Sequence, residues 1–145
     1  MLPRVLEPEV MDTWEDAVEY DSMDFTEVNT AFAERALELA PPSGMILDVG
    51  TGSGRIPILI LQRRPDFDVI AIDLSENMLK VGQQNVHRAR MEEKIVFRLL
   101  DAKNLPFPDG SFDMVISNSL AHHLPDPLPF FQEVHRVLKT GAGLL

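Results

Sequence analysis

The sequence contains no cysteine among its 145 residues. This absence excludes a disulfide framework, a cysteine-based metal site and a thiol nucleophile. Basic residues are scarce as well: 13 lysines and arginines stand against 23 aspartates and glutamates, for a formal net charge of -10. No basic patch that would follow a phosphate backbone is visible, which argues against nucleic acid as a partner. The acidic composition is most simply a solubility feature.

Long apolar segments are also missing. The N-terminal residues Met1–Pro8 lack the apolar core of a signal peptide, and no run reaches the roughly 20 residues that a membrane-spanning helix needs. We therefore expect a cytoplasmic protein with no membrane partner. The sequence is 45% hydrophobic and 25% charged, which fits one globular domain with a sizeable core.

Apolar runs and helical periodicities alternate along the chain. Strands are predicted over Met45–Val49, Val69–Asp73, Ile95–Asp101 and Phe112–Asn118, and a fifth is predicted to begin near Gly143. Helices are predicted over 11–20, 25–40, from the end of the glycine-rich segment to Arg63, 75–91, and from Leu128 until Lys139–Gly141 ends the last helix. This alternation is typical of a parallel sheet covered by helices on both faces. The predicted fold class is α/β, with a doubly wound parallel sheet.

A glycine loop joins the first predicted strand to the next helix. It spans Asp48–Gly54, and Gly50, Gly52 and Gly54 occupy alternate positions in it. Such a loop lets a ligand lie against the main chain, with the N-terminus of a helix directly behind it. Open α/β sheets bind nucleotides at this position.

Polar side chains end four of the predicted strands. Asp48, Asp73, Asp101 and Asn118 each lie at or next to a carboxyl end. Because parallel strands end at the same edge of the sheet, we expect the four side chains to converge on one crevice. Any one of them alone would be explained by a turn or a helix cap, but the set of four around a glycine loop favours a binding site.

The acids also indicate which ligand is bound. Asp73 follows Gly54 at close to the roughly 20-residue separation at which an acid binds the hydroxyls of a ribose. The loop reads Gly50-x-Gly52-x-Gly54, however, so the dinucleotide fingerprint lacks its third glycine. Asp48, directly before the loop, would repel a pyrophosphate and suits a cationic or amino-bearing group. The pattern favours a positively charged nucleoside over NAD, and a nicotinamide dehydrogenase remains the less favoured alternative.

Four segments together resemble a known family. They are Asp48–Gly54, Ala71–Met78, Asp101–Asn118 and Arg136–Lys139, and they occur in the family's order and spacing. The chain resembles the class I S-adenosylmethionine-dependent methyltransferases over residues 25–145. The most similar branch acts on small molecules and is typified by the ubiquinone and menaquinone methyltransferases.

The resemblance implies a site for S-adenosylmethionine. Its residues would be Asp48, Gly50, Thr51, Gly52, Gly54, Asp73, Leu74, Met78, Asp101, Ala102 and Asn118. The glycines would lie under the methionine portion, with Asp48 near its amino group. Asp73 would bind the ribose hydroxyls and Asp101 the adenine amino group. For Met78, packing in the core is a strong alternative.

The implied reaction is an in-line transfer of a methyl group to a small-molecule acceptor. Such a reaction mainly needs alignment of the acceptor and exclusion of water, and a general base is optional. His122 and His123, just after the fourth strand, are the candidate catalytic residues. A packing or substrate-lining role for one of them is the alternative. No metal is expected, because further ligands at metal-site spacing are missing.

The resemblance also implies a domain organisation. An N-terminal arm (1–24) would precede the cofactor-binding domain (25–145), whose expected strand order is 3-2-1-4-5. The arm contains Trp14 and Tyr20, the only tryptophan and tyrosine, which we expect to anchor it to the core. The family has seven strands, and this chain stops where the fifth begins. The fourth strand would then have an open edge, which a second copy or a partner chain could cover.

Two further functions were weighed beside a small-molecule methyltransferase. A cofactor-binding module without catalysis of its own would bind S-adenosylmethionine and show no turnover. Methylation of DNA bases or of protein glutamine is disfavoured. Those branches carry an asparagine-proline-proline-aromatic sequence after the fourth strand, where this chain has Asn118–Ala121.

Overall fold

A computed structural model describes residues 13–23, 25–117 and 125–145 of the chain, with only the backbone at 140–142. The helices are α1 (Trp14–Ser22), α2 (Thr26–Leu39), α3 (Arg55–Arg63), α4 (Glu76–Ala89) and α5 (Leu128–Val137). The strands are β1 (Gly44–Val49), β2 (Phe67–Asp73), β3 (Ile95–Leu99), β4 (Phe112–Ser117) and β5 (Leu138–Leu144). Within the described ranges, no helix has the length and apolar character that crossing a membrane requires.

The strands form one parallel sheet in the order β3-β2-β1-β4-β5. Ile46 of β1 pairs with Val69 of β2 on one side and with Met114 of β4 on the other. The α/β prediction is confirmed, including the expected strand order and the position of the fourth strand beside the first. The carboxyl ends of all strands therefore lie along one edge, which is where the predicted site residues belong.

Apolar side chains cover both faces of the sheet. Ile46 lies on the face covered by α2 and α3, and its neighbour Leu47 lies on the opposite face with α5. Successive residues of a strand point to opposite faces, so a strand buried on both sides must be apolar at nearly every position. This is why the central strands appear in the sequence as continuous apolar runs.

The C-terminal helix and strand differ from the prediction. Helix α5 ends at Val137, and β5 begins at Leu138, well before Gly143. Leu138 continues the helical spacing of apolar residues, but its backbone is already extended and it pairs with Phe112 of β4. The expectation of an open edge on β4 was therefore wrong. The outer strand on this side of the sheet is β5, and Leu145 also bonds to β4 through its N–H and its carbonyl.

Helix α1 packs on α4 through a small residue. Ala17 is fully buried against Met78 and Val81. Trp14 and Tyr20 remain 37% and 41% exposed, and the Tyr20 ring lies 5.4 Å from the Phe25 ring between centroids. The fully buried contact of α1 is thus Ala17, and an anchoring role of the two aromatics stays a prediction. The helices approach closely where the side chain is small, and the two bulky rings are left near the surface.

Candidate functional site

The glycine loop has a backbone that other residues would not adopt. Gly50, Gly52 and Gly54 have φ values of 72°, 59° and 77°, in the left-handed region that favours glycine. Space is limited too: a Cβ on Gly54 would lie 2.8 Å from the Phe97 ring, and one on Gly52 would lie 3.2 Å from the Met78 methyl. The alternating glycines are therefore required by both conformation and packing.

Asp73, at the end of β2, binds the main chain of the loop. Its carboxylate accepts hydrogen bonds from Gly52 N–H at 2.8 Å and from Ser75 N–H at 2.9 Å. Burial raises the pKa of Asp73, and the backbone N–H donors only partly oppose this. A carboxylate has about four acceptor positions, so it retains capacity for the hydroxyls of a ligand. The sequence predicted the ligand role of Asp73 and missed its role in holding the loop.

Asp48, the second-last residue of β1, is 2% exposed. Burial raises the pKa of its carboxyl to about 7, and the negative charge of Asp73 adds to the effect. The nearby Thr51 hydroxyl lowers the pKa of Asp48. Its contacts with groups in the described part of the chain do not reach the geometry of a hydrogen bond. A cation that comes near a buried carboxyl of this kind favours its ionised form. Asp48 is thus suited to an amino-bearing ligand.

A cavity of about 650 Å³ opens beside the loop. Its size is within the range of about 300–1,000 Å³ that is usual for small-molecule sites. One wall belongs to the glycine loop and the start of α3, and it consists of residues 48, 50–53, 55 and 56. The other wall runs from the end of α1 to the start of α2, and it consists of residues 20–23, 25, 26, 28 and 29. The cavity thus brings together four of the predicted residues, which are Asp48, Gly50, Thr51 and Gly52.

The other predicted residues in the described part of the chain do not line this cavity. Met78 is buried against Ala17, as the core alternative predicts. Ala102 is buried in the cluster under α5, whereas Leu74 is 51% exposed. Asp101 accepts a hydrogen bond from Lys103 N–H at 2.9 Å and so caps a turn just beyond β3. These four residues keep only a predicted role in ligand binding.

Three predicted residues, Asn118, His122 and His123, lie outside the described residues. Their roles beside the reacting groups therefore stay predictions. In the ranges that are described, no group of three or more histidine, aspartate or glutamate side chains could hold a metal ion.

Sequence reasoning missed the other residues that line the cavity, among them Asp21 and two of its hydrogen-bond donors, Ser53 and Arg55. Ser53 and Arg55 flank the last glycine of the loop, and that position was a usable signal. Asp21 carried no signal, because it is one of several acids in the arm and its partners are more than 30 residues away.

With this geometry in place, comparison with known proteins identifies the family. The family described as "Methyltransferase domain" matches residues 47–145. The 27-O-demethylrifamycin SV methyltransferase of Amycolatopsis mediterranei is 30% identical over 90% of this chain and 47% of its own length. The demethylmenaquinone methyltransferase of Symbiobacterium thermophilum is 38% identical over 72% of this chain and 42% of its own. The chain spans less than half the length of these curated relatives.

Solved structures share the fold. A SAM-dependent methyltransferase from Aquifex aeolicus matches with a TM-score of 0.73 at 26% identity, over 91% of this chain and 70% of that one. Geranyl diphosphate C-methyltransferase from Streptomyces coelicolor, in complex with S-adenosyl-L-homocysteine, matches with a TM-score of 0.71 at 22% identity. The latter covers 80% of this chain and 41% of that one, and it bears on the fold alone. The family match, the relatives and the strand order agree: this chain belongs to the class I S-adenosylmethionine-dependent methyltransferases.

Proposed function

We propose that this chain binds S-adenosylmethionine and transfers its methyl group to a small-molecule acceptor. The observation that carries the proposal is the buried Asp48 carboxyl, with a pKa raised to about 7, which lines a cavity together with the backbone of the glycine loop. Such a site is complementary to a ligand with a cationic group, which would pair with Asp48, and an adjacent portion, which would lie against the main chain of the loop. Two matched relatives are named for methylation of 27-O-demethylrifamycin SV and of demethylmenaquinone, and these names support a small-molecule acceptor.

The residues present fit this cofactor. Asp48 would pair with the amino group of the methionine portion, and the loop from Gly50 to Gly54 would support that portion through its backbone. Asp73 would accept hydrogen bonds from the ribose hydroxyls while it still holds Gly52 N–H. The buried Thr51 hydroxyl lies near the Asp48 carboxyl and lines the same cavity, so it would be a further contact for the ligand. Leu74, Met78, Asp101, Ala102 and Asn118 would surround the adenosine and the reactive end.

When bound, S-adenosylmethionine supplies a methyl group on a positively charged sulfur, and the transfer removes that charge. The chain's own residues then have two tasks, which are to align the acceptor and to exclude water. Residues 20–23, 25, 26, 28 and 29, from the end of α1 to the start of α2, form the cavity wall across from the loop and are placed to limit access of water. Where the acceptor must lose a proton, His122 or His123 would be the base.

Calorimetry with S-adenosylmethionine and S-adenosylhomocysteine tests the cofactor site. Asp48→Asn should bind both at least about tenfold more weakly, because truncating a buried charge pair costs roughly 2–5 kcal/mol. The matched control is Asp66→Asn, which changes an exposed acid in the turn before β2. If the wild-type chain bound neither ligand, or if Asp48→Asn bound as tightly as wild type, the cofactor site would be wrong.

Turnover is a separate measurement. Release of S-adenosylhomocysteine over a panel of small-molecule acceptors should be detectable if the chain is catalytic. Cofactor binding without any turnover would instead indicate a binding module, and binding of NADH would favour a dehydrogenase. His122→Ala and His123→Ala should lower the rate for acceptors that must lose a proton and leave cofactor affinity unchanged.

The remaining predictions concern location and partners. A cytoplasmic location and the division into an arm (1–24) and a domain (25–145) stay predictions. The absence of a nucleic-acid partner, which the acidic composition supports, stays a prediction too. A second copy or a partner chain would now be expected on β5, since β4 is already paired. Light scattering on the purified chain measures self-association, and a monomer at all concentrations would contradict pairing between copies.

A further inference from the structure

Asp21, in the last turn of α1, accepts hydrogen bonds from three other parts of the chain. Ser53 Oγ donates at 2.5 Å, and the Arg55 guanidinium donates twice, from Nε at 2.9 Å and from Nη2 at 2.8 Å. Asn85 of α4 donates from Nδ2 at 3.2 Å. One carboxylate thus connects the N-terminal helix to the glycine loop, to the start of α3 and to α4.

The Asp21 contact is charged, and its members other than Arg55 are largely shielded from solvent. The Asp21 side chain is 11% exposed, Ser53 and Asn85 are buried, and the Arg55 side chain is 48% exposed. Burial alone would raise the pKa of Asp21, but the hydrogen bonds from Arg55, Ser53 and Asn85 and the charge of Arg55 outweigh it and lower the pKa. Asp21 is therefore ionised at neutral pH. Its bidentate pair with Arg55 consists of charge-assisted hydrogen bonds, which are stronger than hydrogen bonds between neutral groups.

The partners of Asp21 flank the last glycine of the loop. Ser53 precedes Gly54 and Arg55 follows it, and the Ser53 carbonyl accepts a second hydrogen bond from Asn85 at 3.1 Å. Asp21, Ser53 and Arg55 also line the cavity beside the loop. The contact therefore acts on the glycine turn and on the opposite cavity wall at the same time.

We propose that Asp21 is a positioning residue that couples docking of α1 to cofactor binding. It acts through Ser53 and Arg55, which hold the turn at Gly54, and it keeps the α1 wall of the cavity in place. The inference rests on the proposed function, because it takes the cavity to be the cofactor site. Coupling between two events is reciprocal, so a bound cofactor must also stabilise the docked position of α1.

The test compares wild type with Asp21→Asn, which keeps the shape of the side chain and removes its charge. Calorimetry with S-adenosylhomocysteine should show about a tenfold rise in Kd, within the range of about 5- to 150-fold that is typical of coupled sites. In turnover, the KM for S-adenosylmethionine should rise by a similar factor while kcat changes little. Glu19→Gln is the matched control, since Glu19 is an exposed acid on the same helix.

Arg55→Gln completes a double-mutant cycle. If Asp21 acts through Arg55, the double variant should bind S-adenosylhomocysteine about as weakly as either single variant. Fully additive losses would mean that the two residues act independently and would overturn the proposed route.

Amide hydrogen exchange measures the coupling between α1 docking and cofactor binding without requiring turnover. Adding S-adenosylhomocysteine to wild type should slow exchange of the α1 amides, and Asp21→Asn should lose this protection. Asp21→Asn should also speed exchange of the Ser53 and Gly54 amides in the absence of ligand. Unchanged affinity together with unchanged loop exchange would overturn the proposal. If wild type bound no cofactor but Asp21→Asn still loosened the loop, the proposed function and the coupling would both fail, and only the role of Asp21 in holding the loop would stand.

Discussion

Two aspartates hold the glycine loop, and they come from different parts of the chain. Asp73 lies in the sheet, and the groups that it binds in the described part of the chain are backbone N–H groups, those of Gly52 and Ser75 among them. Asp21 lies on the N-terminal helix, and its described partners are the side chains of Ser53, Arg55 and Asn85. The same residue type thus fixes the shape of the loop from the sheet and attaches a separate helix to it.

The two carboxyls also differ in their acidity. Burial raises the pKa of Asp73, because neutral N–H donors only partly replace the water that the carboxylate has lost. The pKa of Asp21 is lowered despite burial, because Arg55, Ser53 and Asn85 donate hydrogen bonds to its carboxylate and Arg55 adds a positive charge beside it. The comparison indicates that the Asp21 contact depends on the identity of its partners, whereas the Asp73 contact would survive most substitutions in the loop.

The largest expected effect comes from Asp73→Ala. The change leaves the buried N–H groups of Gly52 and Ser75 without an acceptor, at roughly 1–3 kcal/mol each, and it removes the predicted ribose ligand. We expect the free energy of unfolding to fall by about 2–6 kcal/mol and calorimetry to detect no S-adenosylhomocysteine binding. Asp66→Ala is the control. If Asp73→Ala bound S-adenosylhomocysteine as tightly as wild type, the loop would not need the Asp73 carboxylate, and the comparison of Asp73 with Asp21 would fail.

Next is the pH dependence caused by Asp48. Its folded pKa of about 7 lies above the ordinary value of 3.8, so the folded state holds a proton that the unfolded state releases. Its contribution to stability is complete below about pH 4 and is lost as the pH rises to about 7. The loss is on the order of 1.4 kcal/mol per pH unit between the two pKa values.

Denaturant unfolding of wild type and Asp48→Asn between pH 4 and 8 measures this effect. As the pH rises, the unfolding free energy of wild type should fall relative to that of Asp48→Asn, because the asparagine side chain does not titrate. Affinity for S-adenosylmethionine in wild type should increase over the same window, because the ionised carboxyl is the form that pairs with an amino group. Parallel stability curves for the two proteins would show that Asp48 has no raised pKa.

Gly54→Ala tests the turn that Asp21 is proposed to hold. A φ of 77° is unfavourable for alanine by about 1–2 kcal/mol, and the new methyl would press on the Phe97 ring, which we expect to bring the total to about 2–4 kcal/mol. Gly143→Ala is the matched control, since nothing lies within 4 Å of its added Cβ. Phe97→Leu in the Gly54→Ala background should recover only the steric part, and full recovery would show that the conformation is not strained.

The smallest expected effect is the undocking of α1 in acid. Because the pKa of Asp21 is lowered, its contribution is present above about pH 4 and is lost as the pH falls through the folded value. Trp14, the only tryptophan, lies on α1 and reports docking by its fluorescence. Asp21→Asn should show at neutral pH the emission that wild type shows only in acid, and Glu19→Gln should not. Identical emission in wild type and Asp21→Asn would indicate that other contacts suffice.

Much of the fold and part of the site could be predicted because their signals are local. Continuous apolar runs identified the buried strands, and alternate glycines after Asp48 identified the loop. The carboxyl ends of parallel strands meet at one edge, so the placement of Asp48 and Asp73 beside the loop followed without coordinates. The family resemblance supplied the strand order.

Only the tertiary structure decided the contacts between distant segments. The partners of Asp21 lie 32 to 64 residues away, and no periodicity marks one acid of the arm among several. Met78 keeps the same helical spacing whether it meets a ligand or Ala17, and Leu138 fits a helix until its pairing with Phe112 is known. A pattern determines which side of an element is apolar. What packs against that side depends on the whole chain.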